Sequence, residues 1–130
     1  MIFSEQIFSP ANPTLLELLH PHSAVAATKI LLFADASVLQ ANPDLSRDIQ
    51  RYFAFYQQEL VLLAEPVALV SGEQVKQQTV LDQLYQKLLH HGIDRHSWVL
   101  ALGGGATLDT VGYACATFHR GIRLARIPTT

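Results

Sequence analysis

The sequence predicts an α/β fold in which a parallel sheet is flanked by helices. Short runs of continuous apolar residues alternate with longer segments whose apolar residues recur at helical spacing. The apolar runs are unbroken, which is typical of strands buried on both faces of a parallel sheet. The connections are short, and the chain contains no internal repeat. Together these observations predict a doubly wound, Rossmann-like sheet with right-handed crossovers.

Four apolar runs are the predicted core strands. They span residues 29–34, 66–70, 98–102 and 123–127. The first ends at Asp35 and the second is followed by Ser71-Gly72. Between these two strands lies the short apolar segment Glu59 to Ala64, in which periodicity cannot separate helix from strand. We assign it to the end of the preceding helix.

Three segments between the strands have helical spacing. The first begins at Asn42-Pro43, because asparagine is a good N-cap and proline fits the first helical position. The second runs from about Gln74 to His90, with Gly92 as its C′ residue. The third runs from Thr107 to Phe118. We expect these helices to cover the sheet.

The chain is predicted to divide into an entry segment and one α/β domain. Residues 1–28 carry three prolines among short apolar pieces, which predicts an irregular segment with one helical turn from Leu15 to Leu19. Residues 29–130 form the Rossmann-like domain, and a hydrophobic content of 49% is enough for a core. Cys115 lies in an apolar helical stretch, which indicates a small buried residue.

Charge and hydropathy disfavour two classes of partner. The formal net charge is -2, and the Lys and Arg residues are scattered, so the sequence predicts no nucleic-acid partner and no anionic membrane surface. The start of the chain lacks the pattern of a signal peptide, and no segment reaches the ~18 apolar residues that span a bilayer. We therefore expect a cytoplasmic protein. The six histidines show no metal-ligand spacing, and no metal ligand is assigned to this chain.

Polar or glycine-rich residues follow each predicted strand. In sheets of this class, ligands bind outside the carboxyl ends of the strands. Asp35 after the first strand can accept hydrogen bonds from ribose hydroxyls, and the glycines 103–105 before a helix let a pyrophosphate approach backbone N–H groups. Together they predict a dinucleotide site. The alternatives are an ordinary turn residue at Asp35 and a tight turn at the glycines, since the G-x-G-x-x-G fingerprint is absent.

Four motifs occur in order along the chain. They are Gly72-Glu73-x-x-Lys76, Gly103-Gly104-Gly105-x-x-x-Asp109-x-x-Gly112-Tyr113, Arg120-Gly121 and Pro128-Thr129-Thr130. Over residues 29–130 this order resembles the N-terminal domain of the 3-dehydroquinate synthase-like sugar phosphate cyclases. The resemblance implies that NAD is the cofactor and that Arg120 contacts an anionic group of a sugar phosphate substrate. The implied cofactor-binding residues are Asp35, Ser37, Glu73, Lys76, Gly104, Gly105, Asp109, Thr129 and Thr130.

The resemblance also implies a reaction: conversion of a sugar 7-phosphate to a carbocycle with loss of phosphate, on one bound NAD. In this family a helical C-terminal domain supplies the metal ligands, for Zn or Co, and most of the substrate pocket. The chain ends within the Pro128-Thr129-Thr130 motif, so we expect the N-terminal half of a two-domain enzyme that is a homodimer when complete. Alone, it is expected to lack catalytic residues and to be inactive.

Several alternatives remain open at the level of sequence. The chain could be a nucleotide-binding module that acts with a partner chain or only binds. The related iron-dependent alcohol and glycerol dehydrogenases also use a glycine triplet and an aspartate, but they typically carry lysine at the position of Gly112. Leu108 stands where many dehydroquinate synthases have glycine, which resembles the sedoheptulose 7-phosphate cyclases. Asp109 could serve only the helix dipole from the first turn, and Arg120 could cap a helix.

Overall fold

Five strands pair in parallel in the computed structural model, which describes residues 5–20, 26–70, 77–118 and 121–129. They are β1 (Thr28–Asp35), β2 (Leu60–Leu62), β3 (Val67–Leu69), β4 (Trp98–Gly103) and β5 (Arg123–Pro128). β4 pairs with one edge of β1, whereas β2 and β3 pair in succession with the other edge. β5 lies beyond β4. The predicted fold class and the four predicted core strands are confirmed.

Helices connect the strands. They are α1 (Thr14–Leu19), α2 (Ala36–Ala41), α3 (Leu45–Phe55), α4 (Gln77–His90) and α5 (Gly105–Phe118), with a 3₁₀ turn at Glu5–Phe8. The beginning of α4 that the sequence places at Gln74 lies outside the described residues. At its other end, Gly92 has a φ of +62°. The N–H groups of Gly92 and Ile93 donate to the carbonyls of Leu89 and Leu88 at 3.1 and 3.0 Å, which confirms Gly92 as the C′ residue of a Schellman motif.

The sheet separates two apolar cores. Along β1 the side chains alternate: Ile30 and Leu32 pack with α1 and α3, whereas Leu31 and Phe33 pack with α4 and α5. All four side chains are fully buried. This explains why β1 reads as an unbroken apolar run, because a strand covered by helices on both faces has no solvent side.

The segment from Glu59 to Ala64 is not the tail of a helix, as the sequence suggested. Its residues 60–62 form β2, which pairs with Thr28 to Ile30 at the beginning of β1. α3 ends earlier, at Phe55. The pairing is decided by a distant partner: the N–H of Thr28 donates to the carbonyl of Glu59 at 2.8 Å, and Leu60 is buried in the core. Local periodicity contains no information about such a partner.

Asn42 is not the N-cap of the following helix. It ends α2, a helix that the sequence did not predict, and its side-chain amide donates to the carbonyl of Val38 at 2.8 Å. The N-cap of α3 is Asp44. The difference arises because Asp35 caps α2 directly after β1, so the chain is already helical when it reaches Asn42.

The N-terminal segment packs against α3. α1 confirms the predicted helical turn, and its Leu15 and Leu19 join the core on that side of the sheet. The hydroxyl of Tyr52 on α3 accepts the N–H of Leu16 at 3.0 Å and donates to the carbonyl of Asn12 at 3.4 Å. The helices of the described residues include none with the length and hydropathy of a membrane span.

Candidate functional site

The crevice between the ends of β1 and β4 is the place in this sheet where the chain changes direction. From β1 the chain crosses to β2 and β3 on one edge, and from β3 it crosses to β4 on the other. In open α/β sheets, ligands bind at such a switch point, outside the carboxyl ends of the strands. Here the two strands end at Asp35 and Gly103, so the topology brings together two of the predicted site segments.

Asp35 connects β1 to the first turns of two helices. Its Oδ1 accepts hydrogen bonds from the N–H of Ser37 at 3.0 Å and from the hydroxyl of Ser37 at 2.8 Å, which caps α2. Its Oδ2 accepts a hydrogen bond from the hydroxyl of Thr107 at 3.0 Å, in the first turn of α5. The carboxylate is therefore held in one orientation by donors from both sides.

Gly103 allows this arrangement because it has no side chain. A Cβ built at Gly103 would lie 3.0 Å from the Cβ of Asp35 and 3.2 Å from the Cβ of Thr107. Its carbonyl accepts the N–H of Thr129 at 3.1 Å, which places Thr129 at the same edge of the sheet. The requirement for glycine at this position is thus a matter of packing between β1, β4 and α5.

Gly104 and Gly105 differ from Gly103 in this respect. Among the described residues, a Cβ at either of them would meet no atom of another segment within 4 Å, so packing against these residues does not require glycine there. They leave open space over the beginning of α5, a helix of 14 residues. The first N–H groups of a helix have no intrahelical partner and carry the positive end of the helix dipole. A phosphate or pyrophosphate group fits this arrangement, and glycine allows it to approach the backbone.

The predicted cofactor residues are only partly described. Asp35, Ser37, Gly104, Gly105 and Thr129 lie at the carboxyl edge of the sheet or in the turns that follow β1 and β4. Glu73, Lys76, Thr130 and the predicted substrate residue Arg120 lie outside the described residues.

Asp109 is in the second turn of α5, not in the first as the sequence suggested. The helix begins at Gly105, two residues before the predicted start, and its first turn contains no acidic residue. Asp109 is exposed. Because the influence of the helix dipole falls off after the first turn, the interpretation of Asp109 as a residue that serves only the dipole is weakened.

Sequence reasoning missed Thr107. Its side chain is 2% exposed, one of two buried polar residues found in the described part of the chain. A threonine two residues after a glycine triplet was the available indication, but its partner Asp35 is 72 positions away.

Leu108, which resembled a feature of one branch of cyclases, is 8% exposed and packs in the core with α4. Its side chain therefore faces the core instead of the cofactor edge.

Cys115 is a buried residue of α5, as predicted. Its side chain is 4% exposed and packs in the core formed with α4. Burial raises the pKa of the thiol to about 11, although nearby Arg126 opposes the shift. Across the described residues no group of three or more His, Cys, Asp or Glu side chains is placed to hold a metal ion.

Comparison with known proteins identifies a family that this chain matches. The family described as 3-dehydroquinate synthase N-terminal matches residues 66–130. The 3-dehydroquinate synthase of Pelobacter propionicus is 42% identical over 64 residues, which cover 49% of this chain and 18% of that protein. The enzyme of the same name from Haemophilus ducreyi is 35% identical over 99 residues, which cover 74% of this chain and 26% of that protein.

Solved structures agree on the fold. A crystal structure of 2-deoxy-scyllo-inosose synthase matches 99% of this chain and 32% of its own chain, with a TM-score of 0.69 and 22% identity. A second, of 2-deoxy-scyllo-inosose synthase complexed with carbaglucose-6-phosphate, NAD+ and Co2+, matches 98% of this chain and 31% of its own, with a TM-score of 0.67 and 22% identity. The chain thus spans about a third of these structures, and about a quarter or less of the two synthases above.

Proposed function

Because this chain belongs to the 3-dehydroquinate synthase N-terminal family, we propose that it is the NAD-binding part of a sugar phosphate cyclase. The observation that carries the proposal is the open backbone of Gly104 and Gly105 at the beginning of α5, beside Asp35 at the switch point of the sheet. The family match begins at residue 66 and includes this turn.

The residues of the crevice divide the recognition of NAD between them. The backbone N–H groups of the first turn of α5 face the pyrophosphate across Gly104 and Gly105. Asp35 is an acceptor, and its carboxylate is suited to the hydroxyls of a ribose. Ser37 and Thr129 flank the same edge with hydroxyl groups. Glu73, Lys76, Asp109 and Thr130 complete the proposed set by resemblance to the family.

Bound NAD supplies a transient oxidation of a substrate hydroxyl, which acidifies the neighbouring C–H bond and allows phosphate to leave. This chain's own part is to bind and orient, and its described residues include no metal site. We propose that the Zn or Co ion and most contacts to the sugar phosphate belong to a C-terminal domain or partner chain, and that the complete enzyme is a homodimer.

Arg120 is proposed to bind an anionic group of the substrate, since a guanidinium forms paired hydrogen bonds with phosphate.

A nucleotide-binding module without catalysis is the second candidate, since the glycine turn and Asp35 at the switch point would serve a nucleotide in such a module as well. A dehydrogenase-like oxidoreductase is disfavoured by Gly112. Those dehydrogenases typically carry lysine at this position, whereas this chain has glycine. Turnover by the complete protein separates the candidates.

The direct test of NAD binding is calorimetric titration of this chain and two variants. Gly105→Val places a side chain in the space over α5, where a Cβ meets no atom of another described segment within 4 Å, so we expect NAD affinity to fall at least tenfold, or about 1.4 kcal/mol, while the thermal midpoint is kept. Ala116→Val introduces the same residue on an exposed part of the same helix and should bind as the unmodified chain does. Equal affinity of all three proteins, or no binding of NAD at all, would contradict the proposal.

Substrate class is tested with the complete protein. It would be supplied with NAD, Zn²⁺ or Co²⁺, and either 3-deoxy-arabino-heptulosonate 7-phosphate or sedoheptulose 7-phosphate, and phosphate release would be measured. The resemblance at Leu108 favours the second sugar. Turnover of the first sugar alone would identify a 3-dehydroquinate synthase, whereas NAD binding without release of phosphate from either would favour the binding module.

A further inference from the structure

Thr107 contributes to this site without facing the open space over α5. Its side chain is buried, and its hydroxyl donates to Oδ2 of Asp35 at 3.0 Å. Gly103, the first residue of the glycine turn 103–105, lies against both partners, and a Cβ there would touch both. The hydrogen bond therefore spans the turn and joins its far side, the first turn of α5, to the end of β1.

We propose that Thr107 is a positioning residue that holds the glycine turn in the conformation that receives the pyrophosphate. The proposal rests on the proposed function for the identity of the ligand. Thr107 acts through Asp35, whose Oδ1 is fixed by Ser37. Both carboxylate oxygens of Asp35 therefore accept hydrogen bonds. The end of β1 and the beginning of α5 cannot separate without loss of a charge-assisted hydrogen bond, which is stronger than a neutral one.

The physical reason for such a device lies in the glycines themselves. Three consecutive glycines have more backbone freedom than any other residues, and ordering them on binding costs conformational entropy. A turn that is already ordered before the ligand arrives avoids this cost at binding. Two other hydrogen bonds report the order of the turn: the N–H of Leu108 to the carbonyl of Gly104 at 3.0 Å, and the N–H of Thr129 to the carbonyl of Gly103 at 3.1 Å.

The test compares Thr107→Val, which removes the hydroxyl and keeps the shape, with Thr107→Ser, which keeps the hydroxyl. Thr110→Val is the matched control, since Thr110 lies on the same helix and its hydroxyl donates only locally, to the carbonyl of Ala106 at 2.9 Å. We expect Thr107→Val to weaken NAD binding about tenfold, or about 1.4 kcal/mol. Thr107→Ser should restore most of the affinity, and Thr110→Val should change it little.

Amide hydrogen exchange of the ligand-free chain gives a second readout. In Thr107→Val, the amides of Leu108 and Thr129 should exchange about tenfold faster. The amide of Ile93 donates to the carbonyl of Leu88 in the last turn of α4, and its exchange rate should be unchanged. Faster exchange at all three amides would indicate general destabilisation and would overturn the proposal, as would unchanged exchange at Leu108 and Thr129.

A double-mutant cycle tests whether Thr107 acts through Asp35. On an Asp35→Ala background, Thr107→Val should accelerate exchange at Leu108 and Thr129 no further, because the hydrogen bond is already lost. An equal acceleration on both backgrounds would overturn the proposal. If the unmodified chain binds no NAD while the exchange results are as expected, the proposed function fails and the role of Thr107 in ordering the turn stands.

Discussion

The hydroxyl of Thr107 lies 3.0 Å from Oδ2 of Asp35, although the two residues are 72 positions apart in the chain. One lies in the first turn of the helix after β4, and the other ends β1. Because β1 and β4 are neighbours in the sheet, the two residues meet at the switch point. The glycine turn between them is therefore held from both sides, which leads to predictions for stability as well as binding.

Gly103 and Gly104 should respond differently to the same substitution. Gly103→Ala places a methyl group 3.0 Å from the Cβ of Asp35, and such overpacking is expected to lower the free energy of unfolding by about 1–3 kcal/mol. The methyl group of Gly104→Ala meets no atom of another described segment within 4 Å, so this substitution should change the free energy of unfolding by no more than about 0.5 kcal/mol. Urea denaturation of both variants measures the difference. Equal losses would mean that Gly103 is not closely packed.

The charge of Asp35 should select NAD over NADP. A carboxylate near the ribose repels the 2′-phosphate of NADP, and juxtaposed like charges disfavour a ligand strongly. We expect NAD to bind at least tenfold more tightly, or about 1.4 kcal/mol. Asp35→Asn removes the charge and keeps a residue type that caps helices well. It should therefore lower the ratio of the NAD affinity to the NADP affinity. Titrations of both nucleotides with both proteins measure it, and a ratio that Asp35→Asn leaves unchanged would place the ribose elsewhere.

Cys115 should be unreactive in the folded chain. It is buried on α5 and its pKa is raised to about 11, so at pH 8 roughly one thiol in a thousand is ionised, and the thiolate is the reactive form. Iodoacetamide labelling followed by mass spectrometry should show slow modification in buffer and rapid modification in urea. The chain has one cysteine, so no second thiol confuses the result. Rapid labelling in buffer would show that α5 is not packed against α4 as described.

Asp94 should make stability depend on pH in the acidic range. The N–H of His96 donates to its Oδ1 at 2.8 Å and lowers the pKa of the carboxyl below its ordinary value of 3.8. The folded chain therefore favours the ionised form. This contribution is present above pH 3.8 and is lost as the pH falls through the lower pKa of the folded state.

Thermal midpoints between pH 5 and pH 2 measure this dependence. Asp94→Asn should flatten the decline, because it removes the titrating group before β4. Glu65→Gln is the matched control, since it removes one carboxylate from an exposed position. An identical decline in Asp94→Asn and the unmodified chain would contradict this role of Asp94.

Some elements could be predicted because their cause is local. The apolar run from Lys29 to Ala34 indicated a strand covered on both faces, and all of its apolar side chains are fully buried. Gly92 ended a helix because a left-handed conformation suits glycine. Other elements had causes that lie elsewhere in the chain: β2 forms because β1 offers a free edge, and α2 forms because Asp35 is placed to cap it.

The same division applies to the site. The sequence by itself determined the fold class, the positions of its core strands along the chain and the glycine turn at Gly103 to Gly105, since each follows from residue type and spacing. Only the tertiary structure decided that Gly103 is required by packing whereas Gly104 and Gly105 leave open space, and that Thr107 holds Asp35. The reason is that side-chain contacts between distant segments depend on strand order and register, which chain-local patterns do not encode.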